Sequence, residues 1–270
     1  MLELGTKMTM DRVRNVEDAI RKVRTAPSVR LLFDYDGTLV PLAPSPELAS
    51  PDAELLQLLD QLASAPGLSV DLVSGRPRNV LDAWFGQMRV LLWAEHGLWR
   101  REAPKGVWEP TASVETVMLE KVIPVLERFA LSTPGVHVER KSGSVAWHFR
   151  GADAPIAERR ADELRRVLAD MLADLPLEIL EGKKVLEVRF RGSTKAVVAR
   201  MMDETPASAA IVAFGDDRTD EDLFRALPPA SITVAVGEPL DGATHLLDDF
   251  REVRQVLRTL LTSGSTGFTG

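Results

Sequence analysis

Apolar and polar positions along the chain fall into two recurring patterns. Short, largely apolar runs at Leu31 to Phe33, Leu68 to Val73, Val90 to Ala94, Ile211 to Phe214 and Ile232 to Val236 predict strands covered on both faces, as in a parallel sheet. Between them apolar residues recur at helical spacing. Val13, Val16, Ile20 and Val23 predict an amphipathic leading helix whose job is packing, and Leu55, Leu58, Leu59 and Leu62 form one face of a second. For that second helix Ser50 is the expected cap, with Pro51 in the first turn and Pro66-Gly67 as the stop. A third helix runs through Val80, Leu81 and Trp84, while Pro41 to Pro46 is a loop. Strand, helix, strand, helix, strand predicts a parallel sheet wound with right-handed crossovers.

From Thr111 the pattern changes. A helix from about Val114 to Leu131 precedes two β-rich runs, Val136 to Glu139 and Ser144 to Arg150, separated by Lys141-Ser142-Gly143 as in a hairpin. A charged helix, Ala157 to Leu172, is followed by β-runs at Leu177 to Leu180 and Val185 to Phe190. The parallel pattern then resumes: Ser193-Thr194-Lys195 opens a helix through Val197, Val198 and Met201, Ile232 to Val236 is the expected last strand, and Leu247 to Leu261 closes the fold. Residues 263 to 270 are small and polar and are expected to fray. The expected fold class is therefore α/β, a Rossmann-like core formed by residues 1–110 and 191–270 with an α+β module inserted at 111–190.

Composition narrows the function classes. At 270 residues the chain has room for two cores, and its net charge of -7 gives no basic footprint for nucleic acid or an anionic membrane. Without cysteine, disulfides and thiolate metal sites are excluded. No uncharged apolar stretch reaches bilayer-spanning length and Met1 to Met10 lacks a signal-peptide core, so a soluble, cytoplasmic protein is expected, without nucleic-acid or membrane partners and monomeric.

Chemistry concentrates at the predicted strand ends. The first run ends in Asp34-Tyr35-Asp36-Gly37, two carboxylates one residue apart before a glycine, where open parallel sheets bind their ligands. An Asp-Gly turn in which Asp36 only satisfies loop amides is the plainer alternative. After Ile211 to Phe214 comes Gly215-Asp216-Asp217-Arg218-Thr219-Asp220-Glu221-Asp222, five carboxylates in seven residues, for which an oxygen-seeking cation or a compensating basic group is expected, Mg²⁺ being the natural cation. Glu221 and Asp222 read better as favourable charges at a helix start, whereas Asp216, nearest the strand, reads as a ligand. Ser74-Gly75 joins a strand to a helix and offers a hydroxyl and amides to an anion, although such turns are common. Lys195 opens a helix, where a cation gains nothing from the dipole; an anionic partner and plain solvation are both open.

Taken together, Asp34-x-Asp36, Ser74, Lys195 and Gly215-Asp216-Asp217 resemble the four motifs of the haloacid dehalogenase superfamily of aspartate-nucleophile phosphatases. The fuller set adds Asp34 to Leu39, Ser74-Gly75-Arg76, Glu95-His96-Gly97, Glu139-Arg140-Lys141, Trp147 to Arg150, Lys183 to Glu187 and Gly215 to Asp222. It is similar to the trehalose-6-phosphate phosphatases over about Leu31 to Phe250. That resemblance implies a capped core and Mg²⁺-dependent hydrolysis of trehalose 6-phosphate through a phosphorylated Asp34. Asp36 would then be acid and base, and Ser74 and Lys195 would hold the phosphoryl group. It implies Mg²⁺ on Asp34, the Asp36 carbonyl and Asp216, with Asp217 and Asp220 behind them holding Lys195. It further implies substrate contacts from Ser74, Gly75, Arg76 and His96 and from the cap residues Glu139, Lys141, Arg150, Lys183 and Glu187. Phe149 departs from the tyrosine the family often carries. Trp93 and Trp147 are expected in the core, and His148 is expected to be structural. The competing readings are another capped sugar phosphatase, acting on sucrose phosphate or mannosyl phosphoglycerate, and a non-catalytic sugar-phosphate sensor.

Overall fold

The computed structural model describes residues 15–23, 25–43, 48–111, 116–191, 194–202 and 209–263, with the side chains of 116, 117 and 263 outside that description. Val13, the Pro44 to Pro46 turn, Val114, Ser193 and residues 264 to 270 of the expected tail lie outside the described residues. The chain separates into two compact units, 1–111 with 194–270, and 112–193.

The first unit begins with a helix, α1, at residues 15–23, whose Val16 and Ile20 are buried. Next come β1 (Val29–Phe33), α2 (Ala53–Ser64), β2 (Leu68–Val73), α3 (Arg78–Phe85), β3 (Leu91–Ala94), β4 (Trp99–Glu102) and β5 (Glu109–Pro110). Leu31 and Phe33 enter one apolar cluster and Leu32 the opposite one, because side chains alternate across a strand and this strand is covered on both sides. Each buried leucine of this kind contributes about 1.5–3 kcal/mol. Polarity on the second face is satisfied locally. The Arg30 guanidinium forks onto Asp71 at 3.0 and 2.7 Å, and Trp93 Nε1 donates to the same carboxylate at 2.8 Å.

Two helix starts and two edge strands of this unit differ from expectation. Asp52, not Ser50, caps α2: its carboxylate accepts from Leu55 N at 2.7 Å, and Pro51 stays ahead of the helix. A charged acceptor complements the helix start better than a hydroxyl does. β4 and β5 were not readable because Trp99-Arg100-Arg101-Glu102 carries no apolar alternation; antiparallel pairing to β3 makes it a strand. The closing helix starts at Phe250 rather than Leu247, since Asp249 accepts from Arg251 N and Glu252 N at 2.7 and 3.2 Å.

The inserted unit contains α4 (Thr116–Glu120), α5 (Ile123–Leu131), β6 (His137–Arg140), β7 (Ser144–His148), α6 (Ala154–Leu172), β8 (Leu177–Gly182) and β9 (Val185–Phe190). The single helix expected to Leu131 is broken at residues 121–122, and Pro124 sits in the first turn of α5, where its missing N–H costs nothing. The helix expected from Ala157 starts at Ala154, with Asp153 as cap and Pro155 in its first turn. An antiparallel sheet in the order β6-β7-β9-β8 packs Trp147, Leu186 and Val188 against Ala157, Ala161, Leu164 and Leu168 of α6. Trp147 and Trp93 are fully buried, and Phe149 packs 5.3 Å from Trp147 in the same core.

The first unit then resumes with α7 (Ala196–Arg200), β10 (Ala210–Gly215), α8 (Arg218–Ala226), β11 (Ile232–Val236), β12 (His245–Leu247) and α9 (Phe250–Ser263). Ile232 to Val236 is thus not the last strand. β12 pairs parallel beyond it but has three residues, too few to show a pattern. The eight-stranded order is β12-β11-β10-β1-β2-β3-β4-β5. Central β1 has β10 on one side and β2 on the other, both parallel, and the chain winds outward from it in both directions. That is a topological switch point, where ligands meet the carboxyl edge of such sheets. Among the described residues no helix is long and apolar enough to cross a membrane.

Candidate active site

Asp34 directly follows β1, and its backbone N still donates to Phe214 O at 3.0 Å, so the ladder carries the residue to the sheet edge in fixed register. Lys195, the N-cap of α7, donates from Nζ to Asp34 Oδ1 at 2.5 Å and to Asp220 Oδ1 at 2.7 Å; its side chain is 1% exposed. The position that gains nothing from the helix dipole is thus explained by two buried carboxylates. Asp216 follows β10, and oxygens of Asp34, Asp216 and Asp220 lie within 4.8 Å of one another.

Two glycines make this approach possible. Gly37 has φ +91, and a Cβ there would overlap the Asp216 carboxylate, while a Cβ on Gly215 would overlap that of Asp220. Asp220 Oδ2 accepts from Asp216 N and Asp217 N at 3.1 and 3.2 Å, so with Lys195 on Oδ1 both of its oxygens are committed to protein donors. Asp217 caps α8 through Thr219, at 2.8 Å to its N and 2.6 Å to its Oγ1. Of the pair expected behind the metal ligands, Asp220 grips Lys195 directly, and Asp217 acts on it only through the field.

Charge explains the titration behaviour. Two buried carboxylates and the partly exposed Asp216 gather around one ammonium. Burial pushes the Asp34 carboxyl from 3.8 up to about 8, against the pull of Lys195 and with Asp216 and Asp217 adding to the rise. Burial likewise raises Asp220 well above the carboxylate range. For Lys195 burial works downward, but the fields of Asp220 and Asp34 outweigh it and hold the ammonium charged. Burial also opposes ionisation of Asp217, whose carboxyl Lys195, Thr219 and His96 keep below its usual value. The oxygen-only donor set of this cluster fits a divalent cation such as Mg²⁺.

The remaining core candidates are linked to one another at the ends of β2 and β3. Ser74, after β2, is buried, and its Oγ accepts from Arg76 N at 3.1 Å while its carbonyl accepts from His96 N at 2.9 Å. A Cβ on Gly75 would lie 2.6 Å from His96 Nε2, so the imidazole covers that glycine. Glu95 and His96 have φ of +51 and +58, a left-handed pair unusual outside glycine. Arg76 reaches Asp36.

The cap candidates lie in the inserted unit. Glu139 and Glu187 flank Ala146 on the sheet face opposite the Trp147 core. Glu139 meets His148 at 2.8 Å, and although burial works to raise its carboxyl, His148 and Lys141 hold it below its usual range. Lys141 lies 3.4 Å from Glu187, which also accepts from Ser144 Oγ, and Arg150 donates to the Lys183 carbonyl at 3.2 Å. His148 is therefore joined to a candidate site residue, and its ring stacks on His137 at 4.7 Å.

Three participants had not been singled out from the sequence. Ser144 contacts Glu187, Trp84 lies under Arg76, and Arg254 donates from Nε to Leu39 O at 3.0 Å behind the Asp34 to Leu39 segment. Only Arg254 left a signal. It is a charged residue on the apolar face of α9, beside Val253, Val256 and Leu257.

A mostly parallel sheet whose switch point carries Asp34, Asp216 and a buried lysine, with an α+β insertion, is the arrangement of the haloacid dehalogenase-like fold. The same fold occurs in a haloacid dehalogenase-like hydrolase from Bacteroides thetaiotaomicron, at TM-score 0.62 and 14% identity over 86% of this chain and 98% of that one. More narrowly, the chain belongs to the trehalose-phosphatase family, whose profile matches residues 32–247. It is 44% identical over 231 residues to the bifunctional trehalose-6-phosphate synthase/phosphatase of Thermoproteus tenax, covering 85% of this chain and 31% of that protein. It also resembles the C-terminal domain of the C. albicans trehalose-6-phosphate phosphatase at TM-score 0.82 and 29% identity, over 93% of this chain and 96% of that one. The chain spans about a third of the length of the first curated relatives it matches.

Proposed function

We propose that this chain hydrolyses trehalose 6-phosphate to trehalose and phosphate with Asp34 as nucleophile. The observation that carries the reading is Lys195 held between Asp34 and Asp220, next to Asp216, in a chain of the trehalose-phosphatase family. Lys195 occupies Asp34 Oδ1, leaving Oδ2 to attack phosphorus. As the Asp34–phosphorus bond forms, the bond to the sugar O6 breaks, and Asp36 delivers a proton to that oxygen. Asp36 then takes a proton from water as the water attacks phosphorus, the acyl phosphate breaks, and Asp34 returns as a carboxylate.

Lys195 neutralises phosphoryl charge throughout, and Asp220 keeps it charged and aimed. Ser74, whose Oγ accepts from Arg76 N and so keeps its own O–H to donate, orients phosphoryl oxygens from the end of β2. When bound by Asp34, the Asp36 carbonyl and Asp216, Mg²⁺ supplies Lewis-acid charge neutralisation. Glu139, Lys141, Arg150, Lys183 and Glu187 supply the groups that read sugar hydroxyls. Two negative carboxylates, one ammonium and the hydroxyl of Ser144 form a mixed donor and acceptor surface suited to that task.

The test is initial rates with Mg²⁺ on trehalose 6-phosphate, sucrose 6-phosphate, mannosyl phosphoglycerate and glucose 6-phosphate. Preference for trehalose 6-phosphate is expected, with activity abolished in Asp34→Asn. A preference for a monosaccharide phosphate overturns the substrate, and full turnover of Asp34→Asn overturns the nucleophile.

A further inference from the structure

Arg76 was expected among the groups that meet the substrate, but the geometry gives it a protein partner. Its Nε donates to Asp36 Oδ2 at 2.8 Å and its Nη2 to Asp36 Oδ1 at 2.5 Å, fork against fork. The arginine is itself fixed. Its guanidinium lies 5.1 Å from the Trp84 ring centre, its backbone N donates to Ser74 Oγ at 3.1 Å, and its carbonyl accepts from Glu95 N at 3.1 Å. Trp84 in turn packs 5.2 Å from the Tyr35 ring, whose hydroxyl donates to the Ala49 carbonyl at 2.6 Å. Asp36 therefore hangs on a short loop before Gly37, but its carboxylate plane is set from outside that loop.

Proton transfer demands such control, since donor and acceptor must approach to about 2.6–3.2 Å in line. A bidentate guanidinium fixes the plane of a carboxylate, which a point charge does not. An ionised carboxylate has about four acceptor positions, so two arginine hydrogen bonds leave room for a sugar oxygen or a water. We propose that Arg76 is a positioning residue that acts through Asp36, rather than a group that binds the substrate. The proposal rests on the reading of Asp36 as acid and base. Ser74 gains a second duty by it, as the acceptor that pins the Arg76 backbone.

The experiment is a double-mutant cycle on the full chain with Mg²⁺ and trehalose 6-phosphate, using Arg76→Ala, Asp36→Asn and the double variant, with Arg76→Lys as the conservative change. Arg76→Ala is expected to lose kcat by about tenfold to a hundredfold, part of what a general acid-base group supplies, with KM nearly unchanged. Arg76→Lys recovers little, and the double variant is no slower than Asp36→Asn. A large rise in KM with kcat intact, or a double variant slowed by the product of the single losses, overturns the proposal. If Asp36→Asn is too slow to measure, or Arg76→Ala does not fold, the burst of nitrophenolate from p-nitrophenyl phosphate is read in Arg76→Lys. That leaving group departs without a proton, so the burst rate should stay at the wild-type value; a burst slowed as much as sugar-phosphate turnover overturns the proposal. Asp36→Asn at the wild-type rate overturns the acid-base reading and the proposal together. An additive cycle in an enzyme whose Asp34→Asn variant is dead overturns the role of Arg76 alone.

Discussion

Replacing Asp34 by asparagine separates two properties of one carboxyl group, its reactivity and its cost to the fold. Burial and the neighbouring carboxylates raise its folded-state value from 3.8 to about 8. A carboxyl raised in this way adds stability that is complete below its unfolded value and is lost as pH climbs through the folded one, because the folded chain keeps a proton the unfolded chain has released. Between about pH 6 and about pH 8 this single site costs about 2 kcal/mol, at 1.36 kcal/mol per unit with the slope easing near the upper end. For a chain of this size that is about 4 to 8 °C in unfolding midpoint. Asparagine resembles the protonated acid and does not titrate there. In EDTA, the wild-type midpoint relative to Asp34→Asn should therefore fall by that amount over the interval, so that at the higher pH the inactive variant is the more stable protein. A cation at the proposed site would take the ionised carboxyl, so Mg²⁺ should raise the wild-type midpoint more at about pH 8 than at about pH 6. Differential scanning fluorimetry of both proteins at both pH values, with and without Mg²⁺, decides the matter. Parallel pH slopes for wild type and variant in EDTA would refute the argument.

Gly37→Ala places a Cβ against the Asp216 carboxylate at a φ of +91. The Mg²⁺ concentration for half-maximal activity should rise by about tenfold or more, as when support around a metal ligand is disturbed, and an unchanged Mg²⁺ titration would exclude that role for Gly37. Arg254→Leu removes the hydrogen bonds to the Leu39 carbonyl and to Asp52, the latter at 2.7 Å. A loss of about 1–3 kcal/mol in urea unfolding is expected, and a change below about 0.5 kcal/mol would show that the brace is dispensable. Ser144→Ala removes a donor from Glu187. KM for trehalose 6-phosphate should rise while KM for p-nitrophenyl phosphate stays put; equal changes in both would remove Glu187 from sugar reading.

Legibility followed the length and burial of each element. β2 and β11 have the predicted bounds because strands covered on both faces must be apolar along most of their length. The same logic hides β4, held by pairing to β3 although each of its residues is polar or aromatic, and β12, with only three residues. Helix faces such as Leu55, Leu58, Leu59 and Leu62 were plain from spacing, whereas starts depended on which of several polar residues captured an amide. In the site, the resemblance named residues but not partners. That Lys195 is shared between Asp34 and Asp220 depends on α7 meeting β1 and α8, a distance in sequence of 161 residues for one bond and 25 for the other. That Arg76 holds Asp36 had no signature, because an arginine after a Ser-Gly turn looks the same in sequence whatever it touches.

The acidic centre is hard to account for as architecture. A buried ion pair is at best a small gain over apolar packing, and here one lysine is shared between two buried carboxylates with a third, Asp216, beside them. Asp220 has a structural use, since it completes the capping box of α8 by accepting from Asp217 N and grips Lys195. Asp34 has none of comparable kind: its side chain contacts Lys195, which would be satisfied more cheaply by Asp220 alone, and its carboxyl is driven to hold a proton. An arrangement that destabilises the fold in the absence of a cation, placed at the switch point of the sheet beside a glycine that clears space for Asp216, is intelligible as preorganisation for a dianionic phosphoryl group and the cation that accompanies it. The expected gain in stability of the asparagine variant at higher pH is the measurable face of that cost.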